Sequence, residues 1–137
     1  MTYSIVEDVA ESVIRVAFSG AVDDEELLKL MPELYELDSY IEFDQFFDFS
    51  AVKHYTVTPK GMVNYNETAR QRPEPKVARK DRKIIVYAPD DLTFGMARLL
   101  ASVASNSGIN LEVFRSLNQA LDFIGLSDSP IQNEKIR

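Results

Sequence analysis

The chain has no cysteine, no tryptophan, one histidine (His54) and only five glycines in 137 residues. Without cysteine there are no disulfides, thiolate zinc sites, iron–sulfur clusters or thiol nucleophiles. One histidine rules out multi-histidine metal sites and leaves little material for a Ser/His/Asp triad. The glycines (Gly20, Gly61, Gly95, Gly108 and Gly125) are scattered, so there is no glycine loop to cradle a phosphate. Long apolar runs are missing too. The most apolar stretch, residues 92–104, is interrupted by Arg98 and is shorter than the ~20 residues a membrane helix needs. The first residues, Met1-Thr2-Tyr3-Ser4-Ile5-Val6-Glu7-Asp8, carry neither a basic start nor an apolar segment of secretory type. The expectation is a soluble, cytoplasmic protein with no stable membrane insertion.

What is present suits one domain, since compact units usually run to about 100–200 residues. A hydrophobic share of 45% and a charged share of 27% are ordinary for a globular protein. Net charge is −7, unevenly spread. Residues 1–69 hold 14 acidic and 4 basic side chains, whereas residues 70–83 hold 7 basic against 2 acidic. Such a basic run can attract phosphate, nucleic acid or an acidic partner, or simply form a solvated loop offsetting the acidic remainder. The second reading is the ordinary one. An acidic surface repels nucleic acid, so no nucleic-acid partner is expected.

Residues 4–9 and 13–21 read as two strands of a hairpin; in the second, Ile14, Val16 and Phe18 alternate with Arg15, Ala17 and Ser19. Asp23-Asp24-Glu25-Glu26 lacks the spaced oxygen ligands and glycine of a calcium loop, and reads as a helix start. Leu27, Leu30, Met31, Leu34 and Leu37 then form one apolar stripe, in which Pro32 predicts a kink or break. Residues 44–49 read as a third strand, followed by a connection over 50–57. Thr58 and Pro59 have the form of an N-cap and first helical residue for a helix over 60–71, with Met62, Val63, Asn66 and Ala69 inward. Arg72-Pro73-Glu74-Pro75 ends it, and 73–81 form the basic loop.

Residues 83–88 are a continuous apolar run suited to a central strand. Asp90 caps a helix over 91–107, lined by Leu92, Met96, Leu99, Leu100 and Val103 and stopped by Gly108. Residues 109–114 read as a fifth strand. Ser116-Leu117-Asn118-Gln119 has capping-box form, opening a last helix through Ile124 that Gly125 ends. The domain spans 1–126, and residues 127–137 read as a mobile tail. The order β-β-α-β-α-β-α-β-α predicts an α/β fold: a mixed, mostly parallel five-stranded sheet with about four helices.

That order, together with two segments, resembles the STAS superfamily and more closely its SpoIIAA-like (STAS/SEC14-like) branch. The segments are Tyr87-Ala88-Pro89-Asp90-Asp91-Leu92-Thr93-Phe94-Gly95-Met96-Ala97-Arg98 and Val113-Phe114-Arg115-Ser116-Leu117-Asn118-Gln119-Ala120-Leu121-Asp122-Phe123-Ile124-Gly125. The resemblance covers roughly residues 3–126 and implies a STAS-like fold. In anti-sigma factor antagonists of this superfamily, a partner kinase phosphorylates a serine at the entrance to the second helix, after a strand ending in Asp-x-Ser. Asp48-Phe49-Ser50 matches that ending. The Asp-Ser-Ser-Gly run is absent, and the position falls within Thr56-Val57-Thr58-Pro59. Thr56 and Thr58 are therefore the candidate phosphorylation positions, with plain helix capping as the ordinary role of Thr58.

A lone His54 is a poor metal ligand set, and as a general base it would need an orienting carboxylate. No catalytic residue, metal site or cofactor is expected. The leading expectation is a non-enzymatic regulatory or protein-interaction module with an unidentified protein partner. Its surface would comprise His54, Tyr55, Thr56, Thr58, Lys60, Tyr65 and Arg70, from the connection 52–59 and the exposed side of the second helix. The alternative is a carrier of a lipid or other small apolar ligand. It draws on the SEC14-like resemblance and on Phe43, Phe46, Phe47 and Phe49, since consecutive aromatics point to opposite faces of a strand. One such face lines a cavity in this reading. Partner identity and oligomeric state are not encoded in any motif.

Overall fold

The structure, a computed structural model, describes residues 2–40, 42–71, 82–106 and 110–126, without the side chains of residues 66, 68–71 and 106. The predicted basic loop, the Gly108 stop and the tail at 127–137 lie outside the described residues.

The chain opens with a hairpin of β1 (Tyr3–Asp8) and β2 (Val13–Val22), antiparallel, with Ser12 in its turn at φ 58°. Arg15 on β2 pairs with the Asp8 carboxylate on β1, two charges kept together because both are largely buried. The remaining elements are α1 (Asp24–Tyr35), β3 (Asp44–Tyr55), α2 (Pro59–Gln71), β4 (Ile84–Tyr87), α3 (Asp91–Asn106), β5 (Leu111–Phe114) and α4 (Leu117–Ile124). The sheet runs in sequence order, β1-β2-β3-β4-β5, and every pair after the hairpin is parallel. Strands added always on one side, through crossovers of one hand, put all three connecting helices on one face. That face holds the larger core: Val16, Phe18, Phe47, Phe49 and Val86 from strands, Leu27, Leu30 and Leu34 from α1, Met62 from α2, and Ala97 and Leu100 from α3. The other face is covered by α4, where Ala120, Leu121 and Ile124 pack on Val13, Phe46 and Ile85. Phe46 and Phe47 thus serve opposite layers, as consecutive strand residues must.

The caps follow their sequence signals. Asp23 accepts from the Glu26 N–H at 2.9 Å. The Asp90 carboxylate accepts from the Thr93 N–H at 2.9 Å and the Thr93 hydroxyl at 2.7 Å, which holds it below the usual carboxylate range. At α4, Ser116 caps the start, and Gly125 turns left-handed at φ 85° so that the Leu126 N–H reaches the Leu121 carbonyl.

Four expectations are corrected. First, the third strand does not end at Phe49 but runs to Tyr55, so most of the expected connection 50–57 is strand. Its pairing with β2 shifts register twice, between Ala17 and Ser19 and between Gly20 and Ala21, where β3 each time supplies one residue more than β2. A bulge breaks the two-residue period, so Phe49, Val52 and Tyr55, three apart, all enter the same core. Gly20, at φ 71°, permits the second shift. Second, α3 turns Thr93, Ala97, Leu100 and Ala104 inward, whereas Leu92 is 57% and Leu99 41% exposed. Small residues let the helix lie close on the sheet, so the largest apolar side chains do not mark the buried stripe. Third, α1 does not break at Pro32 but continues to Tyr35. The carbonyl that Pro32 cannot serve belongs to Leu28, a residue that is itself 37% exposed. Fourth, on α2, Val63 is also exposed rather than inward, at 45%.

Candidate binding surface at the start of the second helix

Pairing between β3 and β4 stops at Asp48 with Tyr87, while β2 and β3 continue together to Val22 with Tyr55. The far end of β3 therefore projects beyond β4, still paired with β2, and delivers the chain to α2. At its base Asp48 folds back to accept from the Ser50 N–H at 2.8 Å.

The expected surface residues divide in two. His54, on β3 rather than in a connection, is exposed, as are Thr56, Thr58 and Lys60. Thr56 is tied to the end of β2 through its N–H and the Val22 carbonyl, 2.9 Å apart. Tyr55 is buried at 7% exposure and belongs to the core. Its hydroxyl has no hydrogen-bond partner, and burial, then the nearby Asp24 carboxylate, raise its pKa. Tyr65 also packs against the core, and burial followed by the neighbouring Tyr40 raises its pKa. Tyr55 therefore presents no face to solvent as an interaction surface would require, and Tyr65 is only partly exposed. Arg70 lies on the α2 backbone, but its side chain is outside the described residues.

Two residues that the sequence reading did not connect organise this corner. Asp24, the first residue of α1, accepts from both the Thr58 N–H and the Thr58 hydroxyl, each at 2.8 Å. Thr58 in turn accepts from the Gly61 N–H at 2.9 Å, the N-cap bond expected of it. Gly61 makes the approach of the two helices practicable, because a Cβ there would stand 2.0 Å from Asp24 Oδ1. The carboxylate thus occupies the positive end of α2, and Thr58 is engaged as donor and acceptor at once. No local spacing links residue 24 with residues 58 and 61; only a glycine in the first turn of a helix hinted at a close neighbour.

Beneath the helices, α1, α2 and α3 leave a cavity of about 60 Å³ against the sheet. Phe18, Phe47, Phe49 and Val86 form part of its floor, with Leu30 and Leu100 above. Its polar lining is Gln45, Tyr40 and Tyr65. Gln45 is 3% exposed, and its Nε2 has no hydrogen-bond partner. Among the described residues, no group of three or more His, Asp or Glu side chains could hold a metal ion. No described helix is long and apolar enough to cross a membrane.

No protein-family model and no curated protein matches the chain. Among solved structures it is similar to an uncharacterised protein of the DUF3478 family from Shewanella loihica PV-4, described as having a SpoIIAA-like fold. The two agree with a TM-score of 0.55 over 89% of this chain and 91% of that one, at 12% identity.

Proposed function

From the SpoIIAA-like fold that the chain carries, we propose a non-enzymatic, cytoplasmic regulatory or protein-interaction module. Its binding surface is the projecting end of β3 and the start of α2, with His54, Thr56, Thr58 and Lys60 exposed at every second position. The observation that carries this reading is the Asp24–Thr58–Gly61 lock. It fixes the α2 entrance to α1 and so holds an exposed surface in one conformation, which lowers the entropy cost of binding. A phosphoryl group on Thr58 would face the Asp24 carboxylate and take away the cap, so in this reading Thr58 positions the helix and is not a switch. Titrating candidate protein partners into isotope-labelled protein tests the surface. Amide shifts should concentrate at residues 54–60; shifts confined to β5 and α4 would remove the assignment.

A second reading, carriage of a small apolar ligand, is favoured by the cavity under α1, α2 and α3. At about 60 Å³ it is far below the roughly 300–1,000 Å³ of drug-sized ligand pockets, so a lipid would require the helices to separate. Native mass spectra of the purified protein with a bound apolar mass would support this reading, and apo protein alone would count against it.

A further inference from the structure

The cavity is not lined by hydrocarbon alone. Gln45 is the first inward-facing residue of β3, two before Phe47, and it is aligned across the sheet with Ile84 of β4, itself aligned with Leu111 of β5. All three residues line the cavity. An amide at a position whose register neighbours are Ile and Leu is costly to bury unless its donors are used, by about 1–3 kcal/mol for an unsatisfied group. Its Nε2 nevertheless has no hydrogen-bond partner among the described residues. The rest of the lining restricts what such a partner can be. Among the described residues, no lysine, arginine, histidine or carboxylate lines the cavity, so these residues offer a charged guest nothing opposite it once it is desolvated. Tyr65, its pKa raised by burial, remains a neutral phenol at physiological pH. The space, about 60 Å³, is several times the roughly 10–15 Å³ that one water needs, so it admits a guest of a few heavy atoms.

We propose that this cavity is a binding site for a small, neutral, acceptor-bearing molecule, a short ketone or amide of a few heavy atoms. The ligand's carbonyl accepts from Gln45 Nε2, and its apolar body lies among Phe47, Ile84 and Leu111. The proposal rests on the carrier reading and narrows it: Gln45 selects for an oxygen acceptor, and the uncharged lining selects against carboxylates. It is independent of the interaction surface at α2.

The test uses the full chain and three probes small enough for the cavity: acetone as neutral acceptor, acetate as anion, and xenon as an apolar guest without an acceptor. Binding is read from methyl shifts of Ile84, Val86 and Leu111 and from the Gln45 side-chain amide. Acetone should give saturable shifts at these groups, with acetate at least tenfold weaker. Gln45→Leu, close in shape, should weaken acetone at least tenfold and leave xenon within twofold; retained xenon binding also shows that the variant keeps its fold and cavity. Equal acetone binding by both proteins would overturn the role of Gln45 and leave apolar carriage standing. Acetate binding as tightly as acetone would overturn the selection for neutral guests. Cavity methyls that respond to none of the three, with only ordered water at Gln45, would remove the proposal, while the carrier reading stands or falls on the native mass spectra.

Discussion

Gly61 and Asp24 are placed so that neither tolerates change alone. A methyl group at position 61 would meet Asp24 Oδ1 at 2.0 Å and push the carboxylate off the Thr58 N–H and hydroxyl. Alanine otherwise favours a helix over glycine by about 1 kcal/mol. In the native background the lost bonds outweigh that gain, and Gly61→Ala should destabilise by about 1–2 kcal/mol in urea unfolding. With Asp24→Ala already in place, the obstruction is gone and the same substitution should stabilise by up to about 1 kcal/mol. A substitution whose sign does not change between the two backgrounds would show that the contact is not what holds the corner. The Thr58-Pro59 helix entrance was legible from sequence because capping is local chemistry. Its partner at residue 24 was not, since nothing short-range joins two helix starts that only the fold brings together.

The register of buried residues decides the energetics of each element. On α3 the largest side chains, Leu92 and Leu99, follow an apolar stripe that the sequence reading placed inward, yet the helix packs through Ala97, Leu100 and Ala104. Leu100→Ala should therefore cost about 2–5 kcal/mol, a buried leucine deletion, while Leu99→Ala should stay below about 1 kcal/mol. Chemical denaturation of the two variants side by side discriminates between the stripes; equal losses would place Leu99 in the core. The third strand carries the same lesson in β form. Alternation is clear over Gln45, Phe47 and Phe49 and then disappears, because two bulges convert the inward spacing from two residues to three. Sequence periodicity assumes an unbroken ladder, so the strand appeared to stop where the bulges begin. By that period His54 and Tyr55 read as loop, yet both lie on the strand and Tyr55 is buried in the core.

At the scale of the whole molecule, buried phenols govern behaviour in alkali. Tyr3 has its pKa pushed up to about 12 by burial first and by its hydrogen bond to Glu33 second, and burial raises Tyr55 and Tyr65 as well. In the unfolded chain these groups ionise near pH 10. Below that pH both states are protonated and the protein keeps its full stability. As pH rises from about 10 towards 12 the unfolded state releases protons first and is favoured. Unfolding free energy measured across that window should fall, and Tyr3→Phe should flatten the slope. A wild-type profile already flat between pH 10 and 12 would contradict the burial of these hydroxyls. The sequence by itself determined the α/β class, the order of the nine described elements, the helix start at residues 23–26, the caps at Thr58, Asp90 and Ser116, and the lack of thiol and multi-histidine chemistry. These rest on local backbone preferences and on residue types simply being present or missing. Only the tertiary structure decided which face of α3 is buried, how far β3 runs, that Asp24 closes on Thr58, and that Gln45 lines a cavity with its amide unpartnered. Each of those depends on residues far apart in the chain meeting across a sheet or between helices, and no local period records such a meeting.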